Sequence, residues 1–82
     1  MKNVPEQGTC YFSDLSIFDD FKRDLKSAFR NSDLHDVTVN QVFDDVIVVF
    51  EWFENTSDLE VSHAITKRVV QSFGGEYRPG EN

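Results

Sequence analysis

Residues Val46 to Phe53 read Val-Ile-Val-Val-Phe-Glu-Trp-Phe, apolar at nearly every position, whereas the other ordered-looking stretches are apolar at every second or every fourth. A strand with water on one side needs only alternation. A continuous run of β-branched and aromatic residues implies cover on both faces. The chain has 82 residues, and little is left for a second cover once helices have supplied the first. The outer cover is therefore expected from a second copy, a partner or a ligand.

A single domain spanning 1–82 is expected, near the size below which a core alone struggles to hold a fold. With 39% hydrophobic residues and eight Phe, the chain is too apolar for the disordered class. Net charge is −7, from 15 acidic and 8 basic residues, so duplex nucleic acid is disfavoured except at a segregated basic patch. Cys10 is the only cysteine and cannot close an internal disulfide. No basic region followed by an apolar one opens the chain, and no run approaches the ~20 apolar residues of a membrane helix. These features point to a cytoplasmic protein with no membrane partner. Asn55-Thr56-Ser57 has the form of a glycosylation sequon, which without a secretion signal is read as coincidence.

Two helices are punctuated. Ser16-Ile17-Phe18-Asp19 has capping-box spacing, with Ser13 as an alternative cap, and leads into the stripe Phe18, Phe21, Leu25, Ala28 and Phe29. Ser57-Asp58-Leu59-Glu60 is a full capping box and Gly74-Gly75 offers a left-handed stop, predicting a helix over 58–73. Its expected apolar stripe is Val61, Ala64, Ile65, Val69 and Phe73, with the Arg68 stem along the edge. Between the helices lie strand candidates Asp36 to Phe43 and Val46 to Phe53, joined by Asp44-Asp45. That loop sets Phe43 opposite Val46 and Trp52 opposite Val37. Val37, Val39, Gln41, Phe43, Val46, Val48, Phe50 and Trp52 then share the helix-covered face.

Thr9 to Phe12 and Glu76 to Arg78 are short terminal strand candidates, with flexible tails expected at 1–7 and 79–82. The resulting fold class is α+β, a βαββαβ two-layer sandwich with both helices on one face of an antiparallel sheet. This order resembles ferredoxin-like domains in topology alone and transfers no activity. Without the terminal strands, the alternative is an α-hairpin-α core completed by dimerisation.

No catalytic or metal signature stands out. Cys10, His35 and His63 are the only thiol and imidazole groups, and their spacing fits packing and solvation better than a nucleophile or a soft-metal site. The acidic clusters Asp19-Asp20, Asp33 with Asp36, Asp44-Asp45, and Glu51, Glu54, Asp58 and Glu60 fall at a turn and at helix starts, where carboxylates serve local roles. Lys22, Arg23, Lys26 and Arg30 form the one basic stripe, interleaved with Asp19, Asp20 and Asp24, with Asp19–Arg23 the expected pair. That composition favours a solvated helix face over a phosphate grip. Phe53 and Tyr11 offer rings for stacking a base, but Val46 to Phe53 holds no Lys, Arg or Gly, so an RNA-recognition strand is not indicated. Trp52 reads as a core anchor.

No cofactor and no catalysis are expected. The expected function is protein interaction, with self-association as a homodimer through the open sheet face: Thr38, Asn40, Val42, Ile47, Val49, Glu51 and Phe53. Four sizeable apolar groups in one patch exceed the scattered singles of ordinary surfaces. An acidic inhibitor, immunity or anti-defence protein covering a basic partner is the sharper form of this expectation. The alternative is a small-molecule-binding dimer with an apolar cavity between its two sheets.

Overall fold

The computed structural model describes residues 4–32, 36–51 and 55–80. Along the chain run β1 (Gln7–Tyr11), a 3-10 turn (Leu15–Ile17), α1 (Phe18–Asn31), β2 (Val37–Val42), β3 (Asp45–Phe50), α2 (Thr56–Ser72) and β4 (Glu76–Pro79). The α+β expectation holds: the strands form one open antiparallel sheet in the order β2-β3-β1-β4, with two helices. Both helices contribute to a core on one face. Cys10, Val37, Val39, Val46, Val48, Phe50 and Tyr77 from the sheet meet Phe21, Leu25 and Phe29 from α1 and Leu59, Ile65 and Val70 from α2. Each of the larger apolar side chains contributes about 1.5–3 kcal/mol by leaving water.

Helix α1 buries the expected stripe, but its start differs. Asp14, not Ser16 or Ser13, caps the preceding 3-10 turn, its Oδ1 accepting from the Ser16 amide at 2.9 Å. Those hydrogen bonds hold the exposed Asp14 carboxyl below its usual range. Arg23 pairs with Asp20 at 3.2 Å and Asp24 at 3.6 Å, rather than with Asp19. Lys26 Nζ donates to the Val37 carbonyl at 2.9 Å and lies 3.4 Å from Asp36 Oδ1, tying α1 to the start of β2.

Helix α2 starts two residues before its expected first residue, at Thr56, because Asn55 takes the capping role and accepts from the Asp58 amide at 3.1 Å. It ends as the glycine pair implies. Gly74 has φ 77°, its amide donates to Gln71 O, and the Gly75 amide donates to Val70 O, a Schellman motif. The buried stripe is rotated from expectation: Leu59, Ser62, Ile65, Thr66 and Val70 face inward, while Val61, Ala64 and Arg68 are exposed. Two hydroxyls make this possible. Ser62 Oγ donates to Asp58 O at 2.7 Å and Thr66 Oγ1 to Ser62 O at 2.8 Å, so neither is buried unsatisfied.

The hairpin turns one residue earlier than Asp44-Asp45. Val42 pairs with Asp45, which leaves Phe43 and Asp44 as the central residues and places Val37 opposite Phe50 rather than Trp52. Since β2 is exposed from Asn40 onward, Phe43 has no helix above it to reward a core-facing position. The register moves by two residues, so the division into faces is unchanged. Residues 52–54, with Trp52 and Phe53, lie outside the described residues, as does His35. The strands also reach one residue into each expected tail, to Gln7 and Pro79. The Gly80 amide donates to Gln7 O at 2.7 Å, extending the β1–β4 pairing past the strand end.

Candidate functional site: the open sheet face and a buried histidine

Alternation along each strand sends every second residue away from the helices. The open face therefore collects Gln7, Thr9 and Tyr11 from β1, Thr38, Asn40 and Val42 from β2, Asp45, Ile47 and Val49 from β3, and Glu76 and Arg78 from β4, with Glu51 just beyond β3. Register sets them in rows across the sheet. One row is Arg78, Thr9, Ile47 and Asn40; the next is Gln7, Val49 and Thr38.

Six of the seven residues expected on this face, Thr38, Asn40, Val42, Ile47, Val49 and Glu51, are brought together there, and Phe53 lies outside the described residues. Ile47 and Val49 are half-buried and Val42 is 45% exposed. Glu51 sits exposed at the rim, where Oε2 accepts from Thr38 Oγ1 at 3.0 Å and its amide donates to Asp36 O. Among the described residues no cation pairs with it.

The terminal strands add a half of the face that hairpin reasoning did not reach. The Arg78 guanidinium stands 5.1 Å from the Tyr11 ring centroid, close enough for a cation–π contact, and 3.3 Å from Glu76 Oε2. Thr9, in the middle of the face, is only 1% exposed. Ile47 and Arg78 are its neighbours across the sheet. The available signal was the alternation Thr9/Tyr11 and Glu76/Arg78, but strands this short have no readable face until their partners are known.

A second cluster lies between α2 and the sheet. His63 is half-buried rather than a surface residue; its ring meets Phe50 edge-on at 4.8 Å. Its Nε2 is 2.8 Å from Pro5 O and its Nδ1 is 2.5 Å from the Tyr77 hydroxyl. A carbonyl can only accept, so Nε2 carries the proton and Tyr77 donates to Nδ1. Burial lowers the imidazole pKa, with the Pro5 hydrogen bond opposing.

Tyr77 pairs with Cys10 across β4 and β1, and burial raises its phenol, with the Cys10 thiol adding to the effect. Cys10 is fully buried and burial pushes its thiol up to about 12. At neutral pH it is a packed thiol, not a thiolate nucleophile. The cluster's chemistry is mechanical: it clamps the segment before β1 and the final strand to α2.

Among the described residues, no three His, Cys, Asp or Glu side chains converge as a metal site would need. None of their helices is long and apolar enough to cross a membrane. No protein-family model matches the chain, and neither does any curated protein or solved structure.

Proposed function

We propose that the chain is a ferredoxin-like module that acts by protein contact, forming a homodimer in the cytoplasm through its open sheet face. The element order βαββαβ with sheet order β2-β3-β1-β4 supports the topology. The observation that carries the functional reading is the face itself. Ile47 and Val49, on the inner strand β3, are flanked by Thr38 and Asn40 on β2 and by Gln7 and Thr9 on β1, with Val42 at the turn end of β2, Glu51 at one end of the face and Tyr11 with Arg78 toward the other. An apolar centre with a polar, partly charged rim is the anatomy of a contact surface. A chain this small also gains stability from burying a second face.

Sedimentation equilibrium at micromolar concentration tests this reading. A dimer is expected, and Val49→Asp, which sets a carboxylate in the centre of the face, is expected to convert it to monomer. A wild-type chain that stays monomeric, with a Val49→Asp variant equally soluble and stable, refutes the proposal.

A further inference from the structure

The hairpin tip departs from the local rule that the other turns obey. Phe43 is 93% exposed and holds φ 57°, at a turn position where Gly, Asn or Asp costs less. Its side chain takes no part in the core. The turn is nevertheless braced, because Gln41 Nε2 donates to the Phe43 carbonyl at 3.1 Å. A large exposed ring on a braced turn, with Asp44 and Asp45 directly after it, has the form of an acidic-flanked anchor. An observed outlier of this kind points from strain toward function.

The area of the sheet gives the anchor a purpose. Four strands about 4.8 Å apart and four to six residues long outline roughly 330 Å², and Thr9 in the middle is already covered. A standard interface buries about 800 Å² per partner, so a flat contact between two such faces needs projecting groups to extend it.

For a two-fold axis placed in the interface, parallel to the strands and between β3 and β1, symmetry gives the landing point. Such an axis exchanges the β2–β3 side of one sheet with the β4–β1 side of the other. Height along the strands is conserved by that rotation. The tip begins after the Val42–Asp45 pair, and by continuation of the β1–β3 register Tyr11, paired with Glu76, lies at this height. Arg78, whose guanidinium leans over Tyr11, is the only cation of the open face among the described residues. Glu76, the like charge on that row, is held by the same guanidinium at 3.3 Å.

We infer that the Phe43–Asp44 hairpin tip of one copy docks over Tyr11 and Arg78 of a second copy, ring against ring and carboxylate against guanidinium. This rests on the self-association proposed above and names the residues that decide its geometry.

The test is sedimentation equilibrium on the full chain, with circular dichroism melts to confirm folding. Phe43→Gly removes the anchor and the strain together. It is expected to weaken dimerisation by about tenfold or more, the loss typical of an aromatic hot spot, while the dilute monomer melts no lower than wild type. Asp44→Arg and Arg78→Asp are each expected to weaken the dimer, and the double variant to recover it to within about threefold, since a swapped pair restores charge complementarity. A wild-type monomer overturns this inference along with the sheet-face reading. A dimer that Val49→Asp dissociates but Phe43→Gly leaves intact, with no recovery in the charge swap, overturns the tip docking alone.

Discussion

Gly8 is the residue on which the clamp between β4 and α2 depends. A Cβ at Gly8 would overlap the Tyr77 hydroxyl and the adjoining ring atoms, with ring Cε1 at 2.5 Å. The Tyr77 ring is buried and its hydroxyl is committed to His63 Nδ1, so it has no free direction in which to retreat. Gly8→Ala therefore forces the ring aside. Overpacking a core costs about 1–3 kcal/mol, and loss of the Tyr77–His63 hydrogen bond adds about 1 kcal/mol. Replacing a strand glycine by alanine returns about 0.5–1 kcal/mol. The net loss is about 1–3.5 kcal/mol, against roughly 4–12 kcal/mol expected for a chain of this length. With a urea dependence of about 1 kcal/mol/M for a small domain, the unfolding midpoint should fall by about 1–3.5 M. The assay is urea unfolding followed by far-UV circular dichroism, in wild-type and Tyr77→Leu backgrounds. Leu lacks the ring and hydroxyl atoms that the added methyl group would strike, so in that background Gly8→Ala should cost nothing or stabilise slightly. Equal costs in both backgrounds, or less than about 0.5 kcal/mol in the wild type, would refute the packing argument, because coupling between contacting residues is what a double-mutant cycle detects.

The imidazole of His63 is easier to protonate in the unfolded chain, since burial lowers its pKa in the folded one. The unfolded state thus binds more protons as pH falls below about 6.5, and stability present above that pH is lost on going toward pH 5; in a His35→Gln background, urea midpoints should show this slope and His63→Gln should flatten it. Cys10, fully buried with its thiol pushed up to about 12, should react with a chromogenic disulfide reagent at neutral pH only as fast as the chain unfolds, and rapidly in denaturant. Asn55→Ala should cost about 1 kcal/mol by removing the α2 cap, whereas Ser57→Ala should change stability by less than about half of that, a comparison that urea midpoints resolve directly.

Much of the fold was legible because its signals are local. The Phe21, Leu25 and Phe29 stripe, the Gly74-Gly75 stop and the alternation in β2 each arise from backbone periods that side chains mark directly. The cap of α2 was misread where two nearby polar residues compete for one role. The Ser57-Asp58-Leu59-Glu60 box matched the pattern, but the Asn55 side chain reaches the Asp58 amide. The α2 stripe was misread for a related reason. Burial of Ser62 and Thr66 depends on hydroxyls turning back onto their own helix, which hydropathy does not record.

Half of the candidate site was likewise readable. Parity along a strand is exact over a two-residue slip, so the outward row Ile47 and Val49 with Thr38, Asn40 and Val42 survived an incorrect turn position. The other half was not. That Thr9, Tyr11, Glu76 and Arg78 extend the same face depends on β1 lying between β3 and β4, a long-range choice made by the whole core.

By itself, then, the sequence determined that the run from Val46 would be a strand with one face in a core and a second face too apolar for plain exposure. Tertiary structure decided what completes that second face: a tyrosine under an arginine beside the expected row, a hydrogen bond from Thr38 to Glu51, and a strained phenylalanine projecting at the hairpin tip. The division has a physical cause. Periodicity and capping are set by residues within one or two turns of each other, whereas strand order, register and turn geometry are set by which residues, far apart in the chain, bury each other best.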